Sequence, residues 1–183
     1  MSKKAAIILA PGYEELEAVA VVDILRRAGI DIKIVGLDRK PVPSARDVKI
    51  VPDAVLDEIK DEQFDLIILP GGLDSTEILA KDDRVVGMLK RQLDQGRMVG
   101  AICAAPTVLD RHGLSQGKHI TCHPVCQKAV KYSTLSNDRV VADGLLITSQ
   151  APGTALEFAL KLVESLEGKE KMDEVNRGVL ARL

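Results

Sequence analysis

The sequence predicts an α/β fold: a largely parallel sheet with helices on both faces, in a single domain over residues 1–183. Three observations predict it. Short aliphatic runs alternate with longer amphipathic stretches, as strand–helix repeats do. Several of those runs stop at Pro–Gly pairs or small residues, the punctuation of buried strands. The composition is 46% hydrophobic with four aromatics (Tyr13, Phe64, Tyr132, Phe158) and no Trp, so Ala, Val, Leu and Ile must build the core. A chain of 183 residues can bury such a core without disulfides or a metal.

Taken in order, Ala5–Ala10 is a continuous apolar run halted by Pro11–Gly12, as expected of a strand covered on both sides. Glu14–Ala28 has a helical pattern closed by Gly29. Ile30–Leu37 alternates like a strand, and Val48–Val51 reads as a short extra one. Phe64–Leu69 is a second buried strand, ended by Pro70–Gly71–Gly72. Asp82–Gln95 is an amphipathic helix stopped by Gly96, and Met98–Ile102 is a strand running straight into a helix over Cys103–His112. Val140–Val141 and Leu145–Thr148, around Ala142–Asp143–Gly144, read as a hairpin. Pro152–Glu167 is a long helix closed by Gly168, with a last helix over 169–183. In such sheets ligands bind beyond the carboxyl ends of the strands. The site is therefore expected where Pro11–Gly12, Pro70–Gly72, Cys103 and His123 converge.

Charge and cysteine usage narrow the function classes. Twenty-five basic against 27 acidic residues leave a net charge of −2, no footprint for a polyanion, and the few aromatics offer no stacking platform. Nucleic-acid binding is not expected. The start of the chain, two lysines and six apolar residues before Pro11, is too short for a membrane span and reads as the first strand. Three cysteines in no paired framework indicate a reducing, cytoplasmic compartment.

The strongest chemical signal is Val99-Gly100-Ala101-Ile102-Cys103-Ala104-Ala105-Pro106, a buried strand turning into a helix with Cys at the corner. That is the layout of a nucleophile elbow, and a helix N-terminus at the sulfur is expected to lower the thiol pKa. The competing reading makes Cys103 a small buried core residue. Between Leu16 and Leu25 only Glu17 and Asp23 are polar, so this helix is expected to be covered on two sides, one of them by a second subunit. Glu17 is then either a desolvated acid with a raised pKa or, like Glu14 and Glu15, a first-turn capping residue. Gly71 and Gly72, with the Ala104 amide, are candidates for an oxyanion hole. His119, Cys122, His123 and Cys126 resemble a metal cluster in composition, but four ligands within eight residues rarely converge on one ion, and no metal is assigned. His123 reads instead as a catalytic histidine at a strand end. His112 and His119 are expected on the surface, and Cys122 and Cys126 in structural roles. No phosphate loop occurs, and Ala151-Pro152-Gly153-Thr154 reads as a helix cap.

The segments ILAPGYEELEAV, RRAGI, ARDVKIVPDA, FDLIILPGG, GAICAAPTVL, CHP and ITSQAPGTALEFAL resemble the DJ-one/PfpI superfamily, in its order, from about Ala5 to Gly168. The resemblance is closest to the DJ-one branch, whose additional C-terminal helix falls on Lys169–Leu183. It implies a flavodoxin-like sandwich, a homodimer and no cofactor. It places the family's oxidation-sensitive nucleophile on Cys103, its protonated glutamate on Glu17, its histidine on His123, its oxyanion glycines on Gly71 and Gly72, and a dimer-contact arginine on Arg46. The implied activities are glutathione-independent conversion of methylglyoxal and related 2-oxoaldehydes to 2-hydroxy acids, and deglycation of early glyoxal adducts on proteins and nucleotides. The alternative is redox sensing or chaperoning through the same cysteine. Ser44 and Val51 stand where the family can carry further cysteines, Leu73 where a polar residue can follow the glycines, and Gln150 where an Arg often precedes the A/G-P-G-T turn. Ala104 replaces the His that follows the nucleophile in the protease-like branch.

Overall fold

The computed structural model describes residues 2–38 and 41–181. The chain runs β1 (Lys4–Leu9), α1 (Glu15–Arg27), β2 (Asp31–Gly36), β3 (Val42–Pro43), β4 (Lys49–Ile50), β5 (Ala54–Val55), α2 (Leu56–Ile59), β6 (Leu66–Leu69), α3 (Leu73–Lys81) and α4 (Asp83–Asp94). It continues with β7 (Met98–Ile102), α5 (Pro106–Arg111), β8 (His119–Ile120), β9 (Thr134–Leu135), β10 (Val140–Asp143), β11 (Leu146–Ser149), α6 (Ala155–Glu167) and α7 (Lys169–Val179). Two 3₁₀ turns, Pro124–Ala129 and Pro152–Thr154, precede β9 and α6.

Seven strands form the main sheet in the order β10-β11-β7-β6-β1-β2-β5, parallel throughout except for the β10–β11 hairpin at one edge. Alternation along each strand divides the core into two layers. Ala5, Ile7 and Leu9 face α1 and α6, joined by Phe158 and Leu162, whereas Ala6 and Ile8 face α4 and α5 with Leu89 and Leu109. Close packing explains the shortage of aromatics. A Cβ on Gly100 would stand 3.1 Å from both Phe158 and Leu162, so β7 has no room there for a side chain. The flavodoxin-like α/β sandwich is thus built on aliphatic strands thin enough to be covered on both faces.

The predicted elements are present with some differences in bounds, and the short elements β3, β5, α2, β8 and β9 are not among those predicted. Cys103–Ala105 form a turn, and α5 starts only at Pro106. Ala142 and Asp143 belong to β10, so the hairpin turn is Gly144–Leu145. The last helix stops at Val179, where Leu180 adopts a left-handed conformation (φ 55°); the end of the expected 169–183 helix lies outside the described residues. Helix α3 has no counterpart in the sequence reading, because the pattern after Pro70–Gly71–Gly72 reads as a turn. Among the described residues no helix is long and apolar enough to cross a membrane.

One buried carboxylate fixes the segment that follows His123. Asp110 accepts from the Lys131 and Tyr132 amides at 2.7 and 2.9 Å and from Ser133 Oγ at 2.7 Å. These donors hold its carboxyl below the usual range despite burial. Asp110→Ala strands the Lys131 and Tyr132 amides, while Ser133 Oγ keeps Ser115, and is expected to cost about 3 kcal/mol in chemical denaturation. A loss below about 1 kcal/mol would show that the segment is held by other contacts.

Candidate active site

Strands β1, β6, β7 and β11 are neighbours, and their carboxyl ends open into one cleft of about 400 Å³. Its wall includes Gly12, Arg46, Gly72, Cys103, Ala104 and His123, so the strand ends singled out in the sequence do converge. A larger cleft of about 510 Å³ lies between α2 and α4, but it has no Cys or His in its wall, and its Arg84 is already tied to Asp38, Asp57 and Asp82.

Cys103 sits at the corner after β7 with φ 65°, a left-handed conformation that is unfavourable for a side-chain-bearing residue. Its amide donates to Ser149 O at 2.9 Å, and its carbonyl accepts from the His123 amide at 2.8 Å. The strained corner is therefore clamped from both neighbouring segments. The sulfur is only partly buried and receives the amides of Gly72 and Ala104. The nucleophile-elbow reading of Cys103 fits this geometry better than the core reading.

Glu17 is brought to the sulfur by the start of α1. Glu14 caps that helix, its Oε2 accepting from the Glu17 amide at 3.0 Å, as expected for an acidic first-turn residue. Gly71 then fixes the helix to the sheet with both its backbone groups. Its carbonyl accepts from the Glu14 amide at 3.0 Å, and its amide donates to Glu17 Oε2 at 2.7 Å. A Cβ on Gly71 would lie 2.5 Å from Cys103 Cβ and 2.7 Å from Glu17 Oε2, so only glycine admits both side chains. Gly72, with φ 97°, turns the chain so that its own amide reaches the sulfur. Gly71 therefore does not belong to the oxyanion hole expected of it, because its N–H is occupied by Glu17. The amides directed at the sulfur are those of Gly72 and Ala104.

Glu17 is fully buried, and burial pushes its carboxyl up to about 7, opposed by the Gly71 amide and the hydrogen bond to Cys103. The cysteine corrects an expectation. Burial pushes the Cys103 thiol up to about 12, and the adjacent Glu17 carboxylate pushes it the same way, against the Gly72 and Ala104 amides. The helix start does not lower it: α5 begins three residues further on and has only six residues. Both groups rise chiefly because burial penalises their charged forms, and the Glu17 carboxylate adds to the rise of the thiol. The pair consequently holds two protons below about 7 and, above it, a single proton on the sulfur. Moving that proton from sulfur to Glu17 produces a thiolate with two amide donors beside a carboxylic acid. Oε2 already accepts from Gly71, whereas Oε1 is buried and has no hydrogen-bond partner among the described residues, which leaves it free to carry a proton.

The remaining predicted residues divide clearly. His123 lines the cleft, its backbone joined to Cys103 and its Nδ1 accepting from the Val125 amide at 3.3 Å. Arg46 also reaches the cleft, 70% exposed, with Nη1 3.7 Å from Glu14 Oε1. It is placed there because the loop after β3 is stitched to Gly12 and Tyr13 by backbone bonds of 2.9 and 2.8 Å. His112 and His119 are exposed, and His119 pairs with Asp143. Cys122 is buried against Ala104 with Cys126, while the edge of Cys126 also lines the cleft, beyond the purely structural role expected of it. Among the described residues no group of three His, Cys, Asp or Glu side chains is arranged to hold a metal. Pro152 and Thr154 form the expected cap before α6, and Pro152 also joins the cleft wall. Sequence reasoning missed Asp74, Ala45 and Val125 in that wall. Asp74 and Val125 were legible only as neighbours of Gly72 and His123.

A profile of the DJ-1/PfpI family matches residues 3–165. This chain belongs to the DJ-1/PfpI family. It is 46% identical over 183 residues to protein dj-1beta of Drosophila melanogaster, covering 98% of each chain. The crystal structure of that Drosophila protein superposes with a TM-score of 0.97 over the full length of both. A Caenorhabditis elegans relative named glutathione-independent glyoxalase DJR-1.2 is 40% identical over 179 residues, covering 95% of each.

Two predictions follow from the Glu17 environment. Its folded value of about 7 lies above the ordinary 4.5, so folding takes up a proton between those values. The stability contributed by this group is full below the unfolded value and is lost as pH rises through about 7, a fall of about 3 kcal/mol in all. Glu17→Gln removes that fall, so denaturation at about pH 5 and about pH 8 should show the variant gaining on wild type at the higher pH; parallel profiles would refute the assignment. Gly71→Ala forces Glu17 and Cys103 apart, relieves the carboxylate's push on the thiol and should speed alkylation of Cys103 by iodoacetamide about tenfold. An unchanged rate would mean that the contact does not govern the thiol.

Proposed function

We propose that this chain is a cofactor-independent and glutathione-independent glyoxalase, converting methylglyoxal and related 2-oxoaldehydes to 2-hydroxy acids. The observation that carries the reading is the contact between Cys103 and the buried Glu17 carboxyl beneath the amides of Gly72 and Ala104. The kinship with a relative named as a glyoxalase supports it.

The reaction balances with these groups. The Cys103 thiolate attacks the aldehyde carbon, and the resulting alkoxide is held by the Gly72 and Ala104 N–H groups. Glu17 protonates that oxygen to give a hemithioacetal, and its carboxylate then takes the proton from the former aldehyde carbon. In the enediol a proton passes between the two oxygens, for which His123 stands at the cleft wall. Glu17 returns its proton to the neighbouring carbon, leaving a thioester of the 2-hydroxy acid. Water cleaves the thioester and restores the thiol. The sum is aldehyde plus water giving acid, with no external oxidant. Early glyoxal adducts on proteins and nucleotides enter the same scheme by releasing the aldehyde to Cys103, which is the deglycase form of the activity.

A second reading uses the same ring of donors. A sulfinate formed from Cys103 by peroxide would accept from the Gly72 and Ala104 amides and from the Glu17 acid, so the site also fits a redox sensor. The three cysteines are free, which suits reducing, cytoplasmic surroundings.

The proposal includes a homodimer. Leu16, 63% exposed, and Val19 stand one turn apart on the outer face of α1, where Val19 shares an apolar groove with Val22 and Ile50, and an apolar patch of that kind asks for a cover. A second copy placed there would shield the start of α1 and bring Arg46 near the interface.

Lactate formation from methylglyoxal without glutathione should be abolished by Cys103→Ala and fall at least about 100-fold in Glu17→Gln. Full turnover by purified Cys103→Ala would overturn the mechanism. In sedimentation equilibrium the wild type should have twice the chain mass and Leu16→Lys the single mass; a monomeric wild type would remove the dimer from the proposal.

A further inference from the structure

The cleft that holds Cys103 is not uniform. Glu14, Arg46 and Asp74 lie in its wall with His123, and so do Ala45, Leu73, Val125 and Pro152, which are apolar. Two of these stand out in water: Leu73 is 63% and Val125 71% exposed. Neither is there to support the core.

Their positions are fixed by the same backbone bonds that build the reactive centre. Leu73 is the first residue of α3 and follows Gly72, whose amide points at the Cys103 sulfur. Val125 is two residues beyond His123, whose amide is bonded to the Cys103 carbonyl at 2.8 Å, and the Val125 amide is in turn tied to the His123 ring. Each apolar side chain thus stands a residue or two from a group bonded directly to Cys103. A small aldehyde bound at the sulfur leaves both side chains wet, whereas an apolar substituent on the ketone carbon can cover them. Covering exposed apolar surface is favourable.

We propose that Leu73 and Val125 are specificity-determining residues that favour 2-oxoaldehydes carrying an alkyl or aryl group over glyoxal itself. This rests on the glyoxalase reading for the turnover but not for the binding. The substituent lies along Leu73 and Val125 while the aldehyde carbon meets Cys103. Both residues act on binding of the non-reacting end and take no part in proton transfer.

The test compares wild type with the Leu73→Asn/Val125→Ser double variant on glyoxal and phenylglyoxal. The proposal expects kcat/KM for phenylglyoxal to fall about tenfold, mainly through KM, and that for glyoxal at most about twofold. Equal losses on the two substrates would overturn it. A parallel measurement does not depend on turnover: alkylation of Cys103 by an aryl and by a methyl chloroketone, in which the thiolate forms a C–S bond and chloride leaves, followed by mass spectrometry. The double variant should lose about tenfold of the aryl-over-methyl rate preference. If no 2-oxoaldehyde is turned over but that preference drops, the glyoxalase reading fails and the apolar wall stands. If turnover is present and neither ratio moves, the wall fails and the glyoxalase reading stands.

Discussion

The hydrogen bond from the Gly71 amide to Glu17 governs the rest of the site. It places a carboxyl where no water reaches, beside a sulfur, with one oxygen fully engaged. An acid in such surroundings keeps its proton to higher pH, and once that proton is lost the carboxylate can take the proton of the sulfur beside it. The strained corner at Cys103, the absence of a side chain at Gly71 and the capping of α1 by Glu14 all serve that contact. Reactivity here is a matter of where one proton sits. A general depression of the thiol pKa is not needed.

The sheet makes this arrangement possible by remaining thin. Ala5, Ala6, Gly100 and Ala101 in the central strands let helices approach from both faces, so α1 starts directly over the ends of β1 and β6. Larger residues would lift α1 and with it Glu17. The aliphatic, aromatic-poor composition is therefore linked to the chemistry through packing distance.

Much of this was legible in the sequence because it follows from local rules. The apolar runs marked the strands, the small residues around Cys103 marked the corner, and Glu17, one of two acids in an apolar helix, stood out as either a desolvated acid or a capping residue. What was hidden depends on contacts between distant segments. The division of labour between Gly71 and Gly72 appears only when α1 is laid across β6, since both glycines look alike after a strand. The rise of the Cys103 thiol also required knowing that Glu17 and burial outweigh two amides. Helix α3 escaped because two glycines mask its start. Val125 and Leu73 look like ordinary surface residues until the turns that carry them are bonded to Cys103 and its neighbours.

The Glu17 proton is best observed on the carboxyl itself. An infrared difference spectrum between wild type and Glu17→Gln at about pH 6 should contain the carbonyl band of a protonated, buried carboxylic acid that belongs to Glu17. The band should decline as pH rises above about 7. A spectrum in which Glu17 is ionised at about pH 6 would contradict the account, since burial would then not hold its carboxyl above the usual range.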